Sequence, residues 1–316
     1  MNATTVVVAG AIAAAAQVFA PGVISSNYSD FAPAFSQDMS WLMFTRGDDG
    51  ASALYISRRD GASWSVPVLA PFSGHWIDLE SALAPDGSYV VFASDRPLTA
   101  GGAALQAQYF GKPQTGGNLW RSDRTGDRWG VPYRLPGVIN GSASVWTPSI
   151  AANGALYFMA TDPQTGRFRI HVAVHPEDKS AGVRNLAFSD GSADDVDPYI
   201  APDRTFLIFG SDRDAKGAGQ TPGVERLYIA FHPEAATPRV CALNVPGFED
   251  RQLSELEPRL SPDQKTLYFS SRRLAHLQQQ SSEPPWDNGK LNIWSVAFQP
   301  SLWQEGSTKD CQEQAL

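Results

Sequence analysis

A short phrase recurs five times along this chain: an apolar run, a tight polar turn, a second apolar run and a Ser/Thr-Asp/Arg ending. The second copy is the fullest, Ala82-Leu83-Ala84-Pro85-Asp86-Gly87 followed by Val90-Val91-Phe92-Ala93-Ser94-Asp95-Arg96. The others begin at Ala34, Ser149, Tyr199 and Arg259 and end at Arg46, Asp162, Arg213 and Arg273. Copies lie roughly 50 to 65 residues apart, a period that belongs to propeller blades or solenoid units. A fold assembled from such copies is one structure, so function must be sought where the copies differ.

The turn in each copy has a physical cause. Pro fixes φ, Asp bonds its own backbone and Gly accepts positive φ, which together close two strands into a hairpin. Only the second copy has all three residues; the first has Gln37-Asp38-Met39, the third Ala152-Asn153-Gly154, and the last two lack the Gly. The flanking runs are aromatic and β-branched, as suits strands buried between neighbouring sheets. A third strand follows each hairpin, as in Asn118-Leu119-Trp120-Arg121-Ser122 and Asn292-Ile293-Trp294-Ser295-Val296. A fourth reads Trp64-Ser65-Val66-Pro67-Val68-Leu69 and Trp129-Gly130-Val131-Pro132-Tyr133-Arg134-Leu135. Proline cannot donate to a ladder, so Pro67 and Pro132 put this strand at an outer edge. Four antiparallel strands with an exposed outer edge make a propeller blade.

A second signature precedes every hairpin, including Ala20-Pro21-Gly22-Val23-Ile24, Leu135-Pro136-Gly137-Val138 and Val245-Pro246-Gly247-Phe248. Its first member stands ahead of any blade, while no convincing fourth strand follows Phe298 in the fifth. Residues 17–24 are therefore expected to supply that strand and close the ring. The expected fold is all-β: a single five-bladed β-propeller domain over residues 17–316, built of four-stranded antiparallel blades, with residues 299–316 as a C-terminal tail. Six blades is the alternative if that tail is structured.

Residues 1–16 contain the apolar stretch Thr4-Thr5-Val6-Val7-Val8-Ala9-Gly10-Ala11-Ile12, which resembles the core of a secretory signal with small residues suited to cleavage before Gln17. A periplasmic or secreted location is expected, and the stretch is too short to span a bilayer. The two cysteines, Cys241 and Cys311, suit an oxidising compartment, either as a disulfide pinning the tail or as two unrelated thiols. A formal net charge of −8 gives no basic footprint, so neither nucleic acid nor an anionic membrane surface is an expected partner. A monomer is the expected state.

The phrase Ser-Pro-Asp-(Gly) with Leu-Tyr-Phe-Ser-Ser, then Asn-Ile-Trp, resembles the WD40-like (PD40-type) repeat of bacterial exported TolB-type β-propellers. The resemblance covers nearly all of residues 17–298 and implies the propeller fold. It implies no single function, because that repeat family includes the periplasmic TolB component, propeller halves of peptidases and a pectin-degrading lyase. The chain departs from TolB in having five repeats and no α/β pattern ahead of them, and it lacks a Gly-x-Ser-x-Gly elbow. TolB's partners and peptidase activity are therefore not carried over.

In a propeller the linkers entering each inner strand share a face with the loops between second and third strands. Three of those loops are long here, 97–117, 214–225 and 274–291. That face carries His75, Trp76, Asp78 and Trp146 on linkers and Tyr109 and Trp286 on long loops, a pattern suited to a glycan or peptide guest, or to covering the blade tops. Glu80, Asp197 and Glu257 recur at one inner-strand position, with Ala32 and Thr147 in the other two blades. They are the candidate acid and base of a carbohydrate-active enzyme, candidate ligands for a cationic group, or simply acceptors for neighbouring backbone. Tyr199 and Arg259 replace small residues at a further inner position and should project into the channel or plug it. His171 and His175 lie on a strand, roughly 13 Å apart, too far to share a metal. No metal or cofactor is expected. The leading expectation is a non-catalytic binding module for a protein or glycan in the cell envelope.

Overall fold

Each repeat folds as one antiparallel sheet, and the five sheets stand around an axis as a five-bladed β-propeller. The computed structural model describes residues 15–48, 50–142, 144–178, 182–213, 223–248, 253–273, 289–298 and 311–312. The signal-like stretch up to residue 14, most of two long loops (214–222 and 274–288, with Trp286) and most of the tail lie outside them.

The innermost strands are Ser29–Phe35, Asp78–Leu83, Val145–Ile150, Asp195–Ile200 and Leu256–Leu260. They touch one another in ring order. The outermost strand is weak, as its prolines require: Ser63–Trp64 and Val68–Leu69 flank Pro67, and Arg128–Trp129 and Tyr133–Arg134 flank Pro132. The second blade also carries an extra hairpin, Gln106–Tyr109 with Lys112–Thr115, inside the 97–117 loop.

Period-2 burial explains how the ring holds. Phe92 of the second blade packs with Met43 and Trp41 of the first, whereas its neighbours Val91 and Ala93 pack with Phe158 of the third. Every blade junction thus has its own apolar core, and strands buried on both faces need unbroken apolar runs. At about 25 cal/mol per Å² of apolar surface, these junctions are the main stabilising term.

The ring closes as the repeat count required. Gln17–Val18 pairs antiparallel with Asn292–Ala297, Gln17 opposite Ser295 and Val18 opposite Trp294, and Phe19 N donates to Ile293 O at 2.8 Å. The hairpin turns form even without Gly. Met39, Arg204 and Gln264 adopt φ of 57°, 65° and 56°, where the second and third copies have Gly87 and Gly154. In all five, the Asp or Asn side chain accepts from the amide two residues on, as Asp38 does from Ser40 at 3.0 Å and Asp263 from Lys265 at 3.1 Å. In the fourth blade Cys311–Gln312 adds a fifth strand outside Arg239–Ala242, with Cys311 opposite Cys241, and Cys241 is disulfide-bonded.

Candidate functional site

The acidic positions of the inner strands share a backbone irregularity. Ala32, Glu80, Thr147, Asp197 and Glu257 have φ between 40° and 56°, each at a register shift in its inner strand. These are β-bulges, and in four of the five a proline follows, which an inner edge strand tolerates. The left-handed conformation is costly for a residue with a Cβ, so something must hold it in place.

A circle of hydrogen bonds does so. Ala32 N donates to Ser270 Oγ at 3.4 Å, Glu80 N to Thr45 Oγ1 at 2.9 Å, and Thr147 N to Glu80 Oε2 at 2.8 Å. Thr147 Oγ1 donates to Asp197 Oδ1 at 2.9 Å, and Glu257 N to Asp197 Oδ2 at 3.2 Å. One bond crosses each blade junction in turn. Sequence reasoning noted Thr45 and Ser270 only as part of the Ser/Thr-Asp/Arg ending and gave them no role.

The three carboxyl groups are therefore brought together, but in a closed space: Glu80, Asp197 and Glu257 are 5%, 2% and 5% exposed. Burial, then the charge of Asp197, pushes Glu80 up to about 8. Burial, then Asp197 and Glu80, raises Glu257 well above the carboxylate range, and burial raises Asp197 against its bonds to Thr147 and Glu257 N. Arg259 is their counter-charge, 4% exposed. Glu80, at about 8, accordingly holds its proton at neutral pH, and Arg259 lies within electrostatic reach of all three acids. Among the described residues no group of three His, Cys, Asp or Glu side chains could hold a metal ion.

Both ends of the axis are covered. At the long-loop end Tyr109, from the extra hairpin, lies within electrostatic reach of Asp197, Glu80 and Glu257, and burial followed by those charges raises its phenol. Its ring packs on Trp146 and Phe168, with centroids 5.6 and 5.5 Å away. Trp146 is 1% exposed and donates from Nε1 to Ser144 Oγ, so it supports the hairpin instead of facing a guest. At the hairpin-turn end Arg259 reaches carbonyls of three blades, Pro258 at 2.8 Å and Pro198 and Pro148 at 3.4 Å. With Tyr199 it leaves a space of about 90 Å³ there. Tyr199 and Arg259, expected to project into the channel or plug it, line its mouth at the hairpin-turn end.

Asp78 is also not on the ligand face. It is fully buried, pairs with Arg96 and accepts from Ser94 and Ser73 at 2.7 Å each. Asp195 with Arg213, and Asp30 with Arg46, repeat the arrangement at 2.6 Å, and each arginine also binds linker carbonyls. These pairs tie an inner strand to its linker.

His75 and Trp76 are where the long-loop face does open. They line a cavity of about 650 Å³ between the linker of the second blade and the loop joining the first blade's Trp41–Asp48 and Ala51–Asp60. Tyr28, Arg46, Asp48, Ser52, Tyr55 and Asp95 complete it. None of these six was singled out by the sequence; the loop around Gly47-Asp48 is short, and loop length was the signal sought.

No protein-family model and no curated protein matches the chain. Solved structures do. A thermostable family-43 glycoside hydrolase superposes with a TM-score of 0.54 at 8% identity, covering 91% of this chain and 93% of its own. A second glycoside hydrolase gives 0.52 at 10% identity, covering 91% and 92%. A putative TolB from Agrobacterium tumefaciens gives 0.49 at 15% identity, covering 86% and 91%. Likeness at such identities concerns the propeller fold alone.

Proposed function

We propose that this chain is a non-catalytic propeller that binds a protein or glycan partner through its long-loop face, in the periplasm or outside the cell. The observation that carries this reading is the contrast in access. Among the described residues, the three inner-strand carboxyl groups are buried and stoppered at both ends, whereas aromatic and polar groups of the long-loop face line an open cavity. A glycosidase needs its acid and base flanking a bound sugar with room for water, which this axis does not provide. The disulfide-bonded Cys241 fits an oxidising compartment. No helix among the described residues is long and apolar enough to cross a membrane.

The test is to present immobilised protein to envelope extract and to a glycan array. Retention of a specific partner is expected. Retention of nothing, or polysaccharide cleavage abolished by Glu80→Gln, would overturn the reading.

A further inference from the structure

We infer that the cavity at the junction of the first two blades is a saccharide subsite, with Trp76 as the stacking platform and Asp48 as a hydroxyl partner. This inference rests on the binding reading above and deepens it, naming the ligand class and the place.

Size comes first. A volume of about 650 Å³ lies within the about 300–1,000 Å³ usual for small-ligand sites. Its openness is built in. A Cβ on Gly47 would stand 2.3 Å from Ser52 Oγ, and one on Gly74, at φ +95°, would stand 2.5 Å from Leu69 Cδ2. A side chain at Gly47 would crowd Ser52 and the Ala51 carbonyl, and Gly74 also needs its positive φ. Trp76 is half-buried, and His75 packs perpendicular to it with centroids 4.9 Å apart, which fixes the indole.

Charge then selects the ligand. Arg46 is taken: it binds Asp30 at 2.6 Å and the carbonyls of Val23 and Ile24 at 3.0 and 3.1 Å. Its guanidinium also lies 5.8 and 5.5 Å from the rings of Tyr28 and Tyr55. A cationic guest would find those rings already serving a cation. An anionic guest would meet Asp48 and Asp95. Asp48 pairs with Lys290 at 2.5 Å, both about one-third exposed, so Asp48 lines the cavity as an acceptor whose charge is already matched. A neutral molecule with an apolar face for the indole and hydroxyls on its edge satisfies all of this, and a sugar ring is that molecule.

The experiment uses the full chain on an array of neutral and uronic-acid oligosaccharides, with calorimetry on the glycans retained. Neutral glycans should bind. Trp76→Ala should weaken binding at least about tenfold, as for an aromatic hot spot, with Asp48→Asn weakening it less and Trp76→Phe keeping part of the affinity. Thermal melts of each variant separate lost binding from lost fold, and Trp76→Phe keeps the test valid if Trp76→Ala misfolds. Glycans bound equally by wild type and both Trp76 variants would overturn the location and leave the binding reading standing. Retention of a protein and no saccharide would overturn the ligand class alone. Retention of neither would overturn both.

Discussion

The axis of the propeller and the rim of its first blade hold the same kinds of residue put to opposite use. At the axis, carboxyl, hydroxyl and guanidinium groups are buried and bonded across blade junctions, mostly to backbone. At the rim, Tyr28, Trp76 and Asp48 stand partly in solvent around open space. The axis is closed by bonds between blades, whereas the rim leaves space beside its side chains. The acids looked functional because they recur in a funnel, yet recurrence is what a junction needs.

The comparison can be broken by experiment. Arg259→Ala removes the buried cation from among three acids and should destabilise the fold by about 3–5 kcal/mol, measured by urea unfolding at pH 8. The loss should shrink as pH is lowered and the acids of the cluster take up protons. An unchanged midpoint at pH 8 would mean that the plug is dispensable.

A second prediction concerns pH. Glu80 is raised from 4.5 to about 8 on folding, so the native state binds the proton more tightly than the unfolded chain. Its contribution is fully present below pH 4.5 and is lost as pH rises through about 8. Stability should fall over that window by up to about 1.4 kcal/mol per pH unit for each proton released. Glu80→Gln, which keeps an acceptor for Thr147 N, should flatten the slope. A slope unchanged by the substitution would place the titration elsewhere.

Thr147→Val tests one link of the circle. It leaves Asp197 Oδ1 without its hydroxyl donor and should cost about 1–3 kcal/mol in chemical denaturation. The smallest effect belongs to the rim. His75 is exposed, so His75→Ala should change stability by less than about 0.5 kcal/mol while lowering ligand affinity by loosening Trp76. A melting shift as large as that of Thr147→Val would erase the distinction between axis and rim.

The architecture was legible because its causes are local and repeated. Unbroken apolar runs mark strands buried on both faces, and Asp or Asn at each turn marks a hairpin whether or not Gly follows. The closing strand was legible by elimination: one linker too many at the start, one strand too few at the end. The bulges were not legible. Glu257 and Asp197 precede proline, which ordinarily signals an extended residue, and their left-handed φ follows from bonds to other blades. Nor could the sequence tell Asp78 from a surface acid, since its partners Ser94 and Arg96 meet it only once the hairpin forms. The rim cavity escaped notice because it is made of absence, small residues at Gly47 and Gly74 opposite rings far apart in sequence.

The seam between Gln17–Val18 and Asn292–Ala297 is fastened by residues far apart along the polypeptide, with Ser25 Oγ bonding Ile293 O 268 positions away. During synthesis the earliest segment emerges with an unpaired edge and waits while almost everything else is made, a high-contact-order step that should be the slow one. Once buckled, the two extremities share a single sheet. A force applied through the leading end would therefore load the final blade first and open the circle like a clasp.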